Sequence, residues 1–135
     1  RIFNPREILE LMNFLKKGKA CLYAPDQDYG FKNSIFIDFF GNKALTVKFP
    51  YIAVRRTKCD VYLFSLEKKD QKYFANFKKL NVFGKNIEED LRTINLEIEK
   101  FIKKHPDNYL WSHRRFKNRP DGEESFYPDN LLRKR

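Results

Sequence analysis

Methionine and tryptophan occur once each, and cysteine and histidine twice, in a chain of 135 residues. These shortages exclude whole classes of chemistry. Cys21 and Cys59 form neither a CxxC pair nor a zinc-ligand spacing. They read as two buried free thiols of a reducing compartment, a disulfide between them being the alternative. Five glycines and six prolines are too few for a collagen-like or low-complexity chain. The longest apolar runs, residues 20–24 and 35–40, fall far short of the ~20 residues that span a bilayer. No P-loop, GxGxxG, HExxH or GxSxG pattern occurs, which removes the common phosphate, dinucleotide, zinc-protease and serine-hydrolase signatures. The chain opens on Arg1 with no apolar targeting segment behind it, so it reads as a piece of a longer protein.

Aromatic and basic residues are abundant. Phe, Tyr and Trp make up 16%, and 28 Lys and Arg against 18 Asp and Glu leave a formal charge of +10. Such a charge suits nucleic acid, an anionic membrane surface or an acidic protein. A composition rich in Phe, Lys, Asn, Ile and Tyr also follows from an AT-rich coding sequence, so the charge by itself selects none of them.

Along the chain, Asn4 and Pro5 read as an N-cap and first helical residue. Ile8, Leu11, Met12 and Leu15 then recur at helical spacing up to Gly18. Residues 20–24 and 35–39 read as strands around a polar turn. Residues 44–56 read as helical through Val47, Tyr51 and Val54, with Pro50 kinking the helix or confining it to the residues beyond the proline. Residues 61–66, 72–77 and 79–83 read as further strands, with a charged hairpin at 67–71, so this part of the sheet should be partly antiparallel. The strongest helix is 87–104. Asn86 caps it, Glu89 stands three residues on, acids fill the first turn and Lys103 and Lys104 the last. Pro106 stops it. The order of elements is that of an α/β protein.

Three stretches are candidates for chemistry. Asp26 and Asp28 lie two residues apart in a turn after a strand, where open α/β sheets bind ligands; a plain acidic turn before Gly30 is the alternative. His113, Arg114, Arg115, Lys117 and Arg119 form a cationic run with Trp111 and Phe116, suited to phosphate or simply a solvated basic turn. His105, beside Pro106, reads as a helix-terminal residue without a catalytic role. The third, residues 29–37, has the Gly and aromatics of an RNA-recognition strand. It lacks the basic residue before the Gly, and its β-branched alternation belongs inside, so nucleic acid is not expected as a partner.

Three blocks in order carry a resemblance: Tyr23-Ala24-Pro25-Asp26-Gln27-Asp28-Tyr29-Gly30; Ser34-Ile35-Phe36-Ile37-Asp38-Phe39-Phe40-Gly41 with Ala44 and Thr46; and Tyr109-Leu110-Trp111-Ser112-His113-Arg114-Arg115-Phe116-Lys117-Asn118-Arg119-Pro120. From about residue 4 to 127 the chain resembles the C-terminal half of the late acyltransferases of lipid A biosynthesis. The resemblance implies an α/β fold in which residues 1–120 are the second half of a glycerolipid-acyltransferase-like mixed sheet flanked by helices, with 121–135 a poorly ordered or surface-draped basic tail. It implies acyl transfer from acyl carrier protein to a hydroxyl of a phosphorylated glycolipid, at the cytoplasmic face of the bacterial inner membrane, with this piece peripheral. No metal or organic cofactor is implied.

The family's general base is a His with an Asp or Glu five positions later. Here Leu110 and Asn118 stand at those positions, so the piece alone should be catalytically incomplete. The resemblance also places Asp26 and Asp28 in the acceptor pocket, positioning an active-site cation such as an Arg. It puts His113, Arg114, Arg115, Lys117 and Arg119 near the site mouth, against acceptor phosphate, the acidic carrier or only the fold. Tyr62 stands where a Pro is expected, and Pro50 interrupts a helix expected to be rich in small residues. A non-catalytic basic module on an anionic lipid surface is the competing reading.

Overall fold

The computed structural model describes residues 7–128. Helix α1 (Ile8–Lys16) turns Leu11 and Met12 inward, and the Gly18 N–H closes it on the Leu15 carbonyl at 2.9 Å. Its expected start at Asn4 and Pro5 lies outside the described residues. The strand expected over 20–24 does not form. No described strand pairs with it, and Leu22 is 82% exposed; an apolar run without a ladder partner has nothing to satisfy its backbone in extended form. Cys21 on that run is therefore exposed and Cys59 half-buried, both as free thiols, which corrects the expectation of two buried ones.

Strand β1 (Ser34–Phe39) pairs antiparallel with β2 (Asn42–Val47), Ile37 facing Ala44 and Phe36 facing Leu45. Phe40 and Gly41 turn the chain with φ of 51° and 76°, the left-handed pair that a two-residue hairpin loop requires. The first part of the helix expected over 44–56 is thus a strand. Ala44, Leu45 and Thr46 are all buried, so β2 shows none of the alternation that marks a half-buried strand. Pro50 sets where the helix can begin: α2 (Phe49–Thr57) carries it in the first turn, where a missing N–H costs nothing.

Strands β3 (Val61–Lys69) and β4 (Lys72–Leu80) form a second antiparallel hairpin around Asp70 and Gln71, again at positive φ. The α/β class holds, and the strands of both two-stranded sheets are antiparallel. The separate strand expected over 79–83 is instead the end of β4 and the loop after it.

Helix α3 (Ile87–Lys104) matches its expected bounds, and the Asn86 side chain accepts the Glu88 N–H at 2.9 Å and the Glu89 N–H at 3.3 Å. Leu91, Ile94, Ile98 and Ile102 are buried against Ile37, Phe39, Ala44, Val54, Leu80 and Val82. Three polar residues of α3 are buried as well. Asp90 accepts from the Phe83 and Gly84 N–H groups at 3.0 and 2.6 Å, Asn95 donates to the Asp38 carbonyl at 3.0 Å, and Glu99 accepts from the Phe40 N–H at 2.9 Å. Each satisfies a backbone group that a loop, a hairpin turn or, for Asp38, the outer edge of β1 would leave unpaired. At Gly84 (φ 69°) a Cβ would stand 2.7 Å from the Arg55 backbone nitrogen, so α2 and the loop before α3 touch backbone to backbone.

After α3, a short 3₁₀ turn (Pro106–Asn108) leads into an irregular segment that crosses the buried hairpin. Residues 121–128 lie along it: the Tyr127 hydroxyl accepts the Phe116 N–H at 3.3 Å, and the Phe126 and Phe116 rings stand 5.5 Å apart. The tail beyond 128 is outside the described residues.

Candidate functional site

Three stretches distant in sequence meet at one place: the loop before β1, the middle of β2 and the segment after α3. Asp28 joins the first to the third. It is only 3% exposed. Its backbone N–H donates to His113 Nε2 at 3.0 Å, Oδ1 accepts from Gly30 N–H at 2.8 Å and from Asn118 Nδ2 at 2.9 Å, and Oδ2 accepts from Asn118 N–H at 3.3 Å. All these donors are neutral. The carboxylate is saturated by the turn and by Asn118, and no described cation pairs with it. His113 accepts through Nε2 and is therefore the neutral tautomer with its proton on Nδ1. Burial holds its pKa below the usual imidazole value, opposed by Asp26 and Asp28 and reinforced by Lys117 and Arg115.

Arg115 joins the third stretch to β2. It is 2% exposed and donates from Nη1 to the Leu45 carbonyl at 2.6 Å and from Nη2 to the Thr46 hydroxyl at 3.0 Å, with its guanidinium 5.1 Å from the Phe39 ring centroid. The same hydroxyl accepts from Asn95 at 3.2 Å and donates to the Ala44 carbonyl at 3.2 Å, so Thr46 is the node where α3, β2 and the basic segment meet. No described carboxylate touches Arg115. Burial lowers its pKa, while the field of Tyr109, Asp28, Asp26 and Tyr23 acts to raise it; a guanidinium stays charged through such a shift.

Arg119 is likewise spoken for, by the Lys43 carbonyl at 2.6 Å, the Glu123 carboxylate and the face of Phe126 at 4.1 Å. Arg114 and Lys117 are half-buried, and neither side chain has a hydrogen bond or ion pair among the described residues. They are the two cations of the run that are open to a ligand. His105 caps the end of α3 and lies 3.4 Å from Glu67, away from this cluster.

Around the clamp several polar groups have no partner. Asp26 is half-buried and accepts no hydrogen bond among the described residues. The Tyr23 and Tyr109 hydroxyls and Arg115 Nε are buried and unpaired. Burial pushes the Tyr109 hydroxyl up to about 12 and the Tyr23 hydroxyl higher still, Asp26 adding to both shifts and Arg115 opposing them. Both phenols thus remain neutral donors in the field of one acid and one buried cation. The two clearest concavities lie elsewhere, one beside Tyr51 and Arg55 on α2 and one between the β3–β4 hairpin and α3 near Leu63 and Phe101.

Asp26, Asp28, His113 and Arg115 are therefore brought together, Arg119 is tied to the neighbouring turn, and Arg114 and Lys117 stand at the edge. Tyr23, Thr46, Tyr109 and Asn118 complete the cluster and were not singled out by sequence reasoning. The available signal was weak: each sits inside one of the three ordered blocks, and Asn118 occupies the position five after His113. Among the described residues no group of three or more His, Cys, Asp or Glu side chains is placed to hold a metal.

Comparison with known proteins gives one consistent answer. The family described as bacterial lipid A biosynthesis acyltransferase matches residues 1–118. The lipid A biosynthesis palmitoleoyltransferase of Escherichia coli K12 is 37% identical over 121 residues, covering 87% of this chain and 40% of the relative. The lipid A biosynthesis lauroyltransferase of the same organism is 32% identical over 127 residues, covering 90% and 42%. A lipid A biosynthesis acyltransferase of Haemophilus influenzae is 28% identical over 121 residues, covering 88% and 38%. The chain thus spans about two fifths of the length of the curated relatives it matches.

Proposed function

The chain belongs to the bacterial lipid A biosynthesis acyltransferase family, and from that premise we propose that its protein moves a fatty acyl group from an acyl carrier protein thioester to a hydroxyl of a phosphorylated lipid A precursor. In that reaction the acceptor oxygen bonds to the acyl carbon, the carbon–sulfur bond breaks, the hydroxyl proton passes to a base and the carrier thiolate leaves. The Nε2 lone pair of His113 is engaged by the Asp28 N–H, and neither His of these 135 residues has an acid five positions on. The base is proposed to be the family's His-x4-Asp/Glu pair, outside these 135 residues. The place of reaction is proposed to be the cytoplasmic face of the inner membrane, reached peripherally by this part of the molecule; no described helix is long and apolar enough to cross a membrane.

What these residues contribute is the acceptor side. One observation carries this reading: three blocks distant in sequence close on Arg115 and Asp28, yet leave the buried Tyr23 and Tyr109 hydroxyls without partners, with the half-buried Asp26 carboxylate in their field. Buried polar groups are normally paired. An unpaired acid beside two neutral phenols is a set that hydrogen-bonds and orients a hydroxyl, Asp26 accepting from it and a phenol donating to it. Asp28 acts as a strut for the turn that presents Asp26, and Arg114 and Lys117 face acceptor phosphate or the acidic carrier.

The test is acyl transfer by the intact protein from an acyl carrier protein thioester to a phosphorylated glucosamine-disaccharide lipid. Asp26→Asn is expected to lower kcat/KM at least tenfold, about 1.4 kcal/mol, without moving the thermal midpoint, and Lys117→Ala to raise KM. An intact protein that acylates no such acceptor sinks the reading; full activity in Asp26→Asn removes the acid from the site.

A further inference from the structure

The β3–β4 hairpin takes no part in this site, yet it carries the largest ordered set of exposed aromatic side chains. Resting on the reading that the substrate is a lipid, we propose that the outer face of this hairpin is the surface on which the protein lies against an anionic phospholipid bilayer.

Register defines the face. Tyr62 stands opposite Lys79, Phe64 opposite Phe77, Leu66 opposite Ala75, and Lys68 opposite Tyr73; directly opposed residues of an antiparallel pair project to the same side. From base to tip the rungs read Tyr–Lys, Phe–Phe, Leu–Ala, Lys–Tyr. Every member is exposed, Phe77 at 69% and Tyr73 at 71%. The Phe64 and Phe77 rings meet at 5.2 Å, and Lys68 Nζ sits 5.9 Å from the Tyr73 centroid. The two Tyr–Lys rungs lie about 20 Å apart at ~3.4 Å per residue and enclose an apolar centre. Tyr and Lys place an apolar body on hydrocarbon and a polar tip among headgroups, so rungs of this kind at both ends suit a hairpin lying flat.

Charge favours an anionic surface. The two strands hold five lysines, at 68, 69, 72, 78 and 79, and one carboxylate, Glu67. Glu67 is on the inner face, beside His105. Lys78, also inward, is held by Glu97 of α3 at 2.5 Å. Of the five, Lys68 and Lys79 are on the outer face, which has no carboxylate from its own strands, and Lys69 and Lys72 flank the turn at its tip; Asp60 pairs with Lys79 at the base, at 2.8 Å. An acidic protein would meet the same lysines. The centre of the face offers it only hydrocarbon and no groove, which is what a bilayer fits.

The intact protein is tested for flotation with vesicles of phosphatidylethanolamine and phosphatidylglycerol (7:3) and of phosphatidylcholine. Wild type is expected to bind the first and Phe64→Ser/Phe77→Ser to bind it about tenfold more weakly or worse, with an unchanged melting curve and unchanged acyl transfer to acceptor dispersed in detergent. Lys68→Gln/Lys79→Gln is expected to weaken binding and flatten its salt dependence. A Phe77→Trp reporter, read as the difference in emission from the parent protein, should shift to the blue on anionic vesicles and be quenched by brominated lipid. Equal vesicle binding by wild type and the Phe double variant, or no quenching of the reporter, overturns the proposal. So does a raised KM for the carrier-protein donor with vesicle binding intact, which would make this a protein-docking face. Loss of vesicle binding in the Phe variant when even wild type transfers no acyl group would uphold the docking face while the functional reading falls.

Discussion

The β1–β2 and β3–β4 hairpins are both antiparallel and both turn through two residues at positive φ, yet one is the centre of the molecule and the other stands at its edge. Six-residue strands covered by α3 on one side and crossed by the basic segment make the first. Nine-residue strands touching α3 mainly near their base make the second. Turn chemistry is the same in both, so it does not decide burial. What separates them is what lies against each: Ile37, Phe39 and Ala44 pack into the apolar core under α3, and the long-range polar ties to that hairpin are the buried ones. Asn95, Glu99 and Arg115 reach β1, β2 and the turn between them, whereas β3–β4 is tied by Lys78 to Glu97, His105 to Glu67 and Asn108 to the Leu66 carbonyl.

The comparison breaks most sharply at Arg115. Arg115→Leu leaves the Leu45 carbonyl and the Thr46 hydroxyl short of a donor, and is expected to destabilise the protein by about 3 kcal/mol in urea denaturation. Lys79→Leu, which likewise removes a cation but on the exposed hairpin, should leave the urea midpoint at the wild-type value. Equal effects would mean that the ties do not distinguish the hairpins.

Next in size is Gly84→Ala, at the junction between β4 and α3. A Cβ there meets the Arg55 backbone at a φ that disfavours side chains, and a loss of about 2 kcal/mol is expected. A thermal midpoint equal to wild type would show that α2 can withdraw freely.

A smaller effect is expected from pH. The folded His113 pKa is depressed by burial, so the unfolded chain binds that proton first as pH falls. Its contribution is full above about pH 6.5 and declines as pH falls through that value toward the depressed folded pKa. His113→Gln keeps an acceptor for the Asp28 N–H and should flatten this slope between pH 7 and 5. An unchanged slope would assign it to other groups.

Smallest is Gln71→Gly in the β3–β4 turn, where φ is 62°. A gain of about 0.5 kcal/mol is expected, read as slower amide exchange in β3 and β4 with β1 and β2 unmoved. Slowing in both hairpins would show that they unfold as one unit.

Much of this was legible in the chain. Helix α3 declares itself because its cap, its dipole-matched ends and its apolar stripe agree. Strand β1 is legible because one face is buried and the other half-open. Strand β2 was hidden because Ala44, Leu45 and Thr46 are covered on both faces, which leaves no period to read. The site was legible as three blocks and not as roles. Asp26 and Asp28 look alike in a turn, and what separates them is Asn118, 90 residues away, holding only Asp28. Arg114 and Arg115 look equally solvated in a basic run; Arg115 is buried because Thr46 and the Leu45 carbonyl, about 70 residues earlier, accept its guanidinium.

That clamp also sets an order of assembly. The Asp28–Asn118 contact closes a loop of 90 residues, and the entropy of such a closure is offset only after the strands and α3 between have shortened the path. During synthesis the acidic turn emerges 90 residues before its partner and waits until the strands and α3 have left the ribosome. The Asp28–Asn118 junction is thus the last part of this unit to form, and a chain interrupted before Asn118 can carry the core and still lack the contact that fixes the acidic turn.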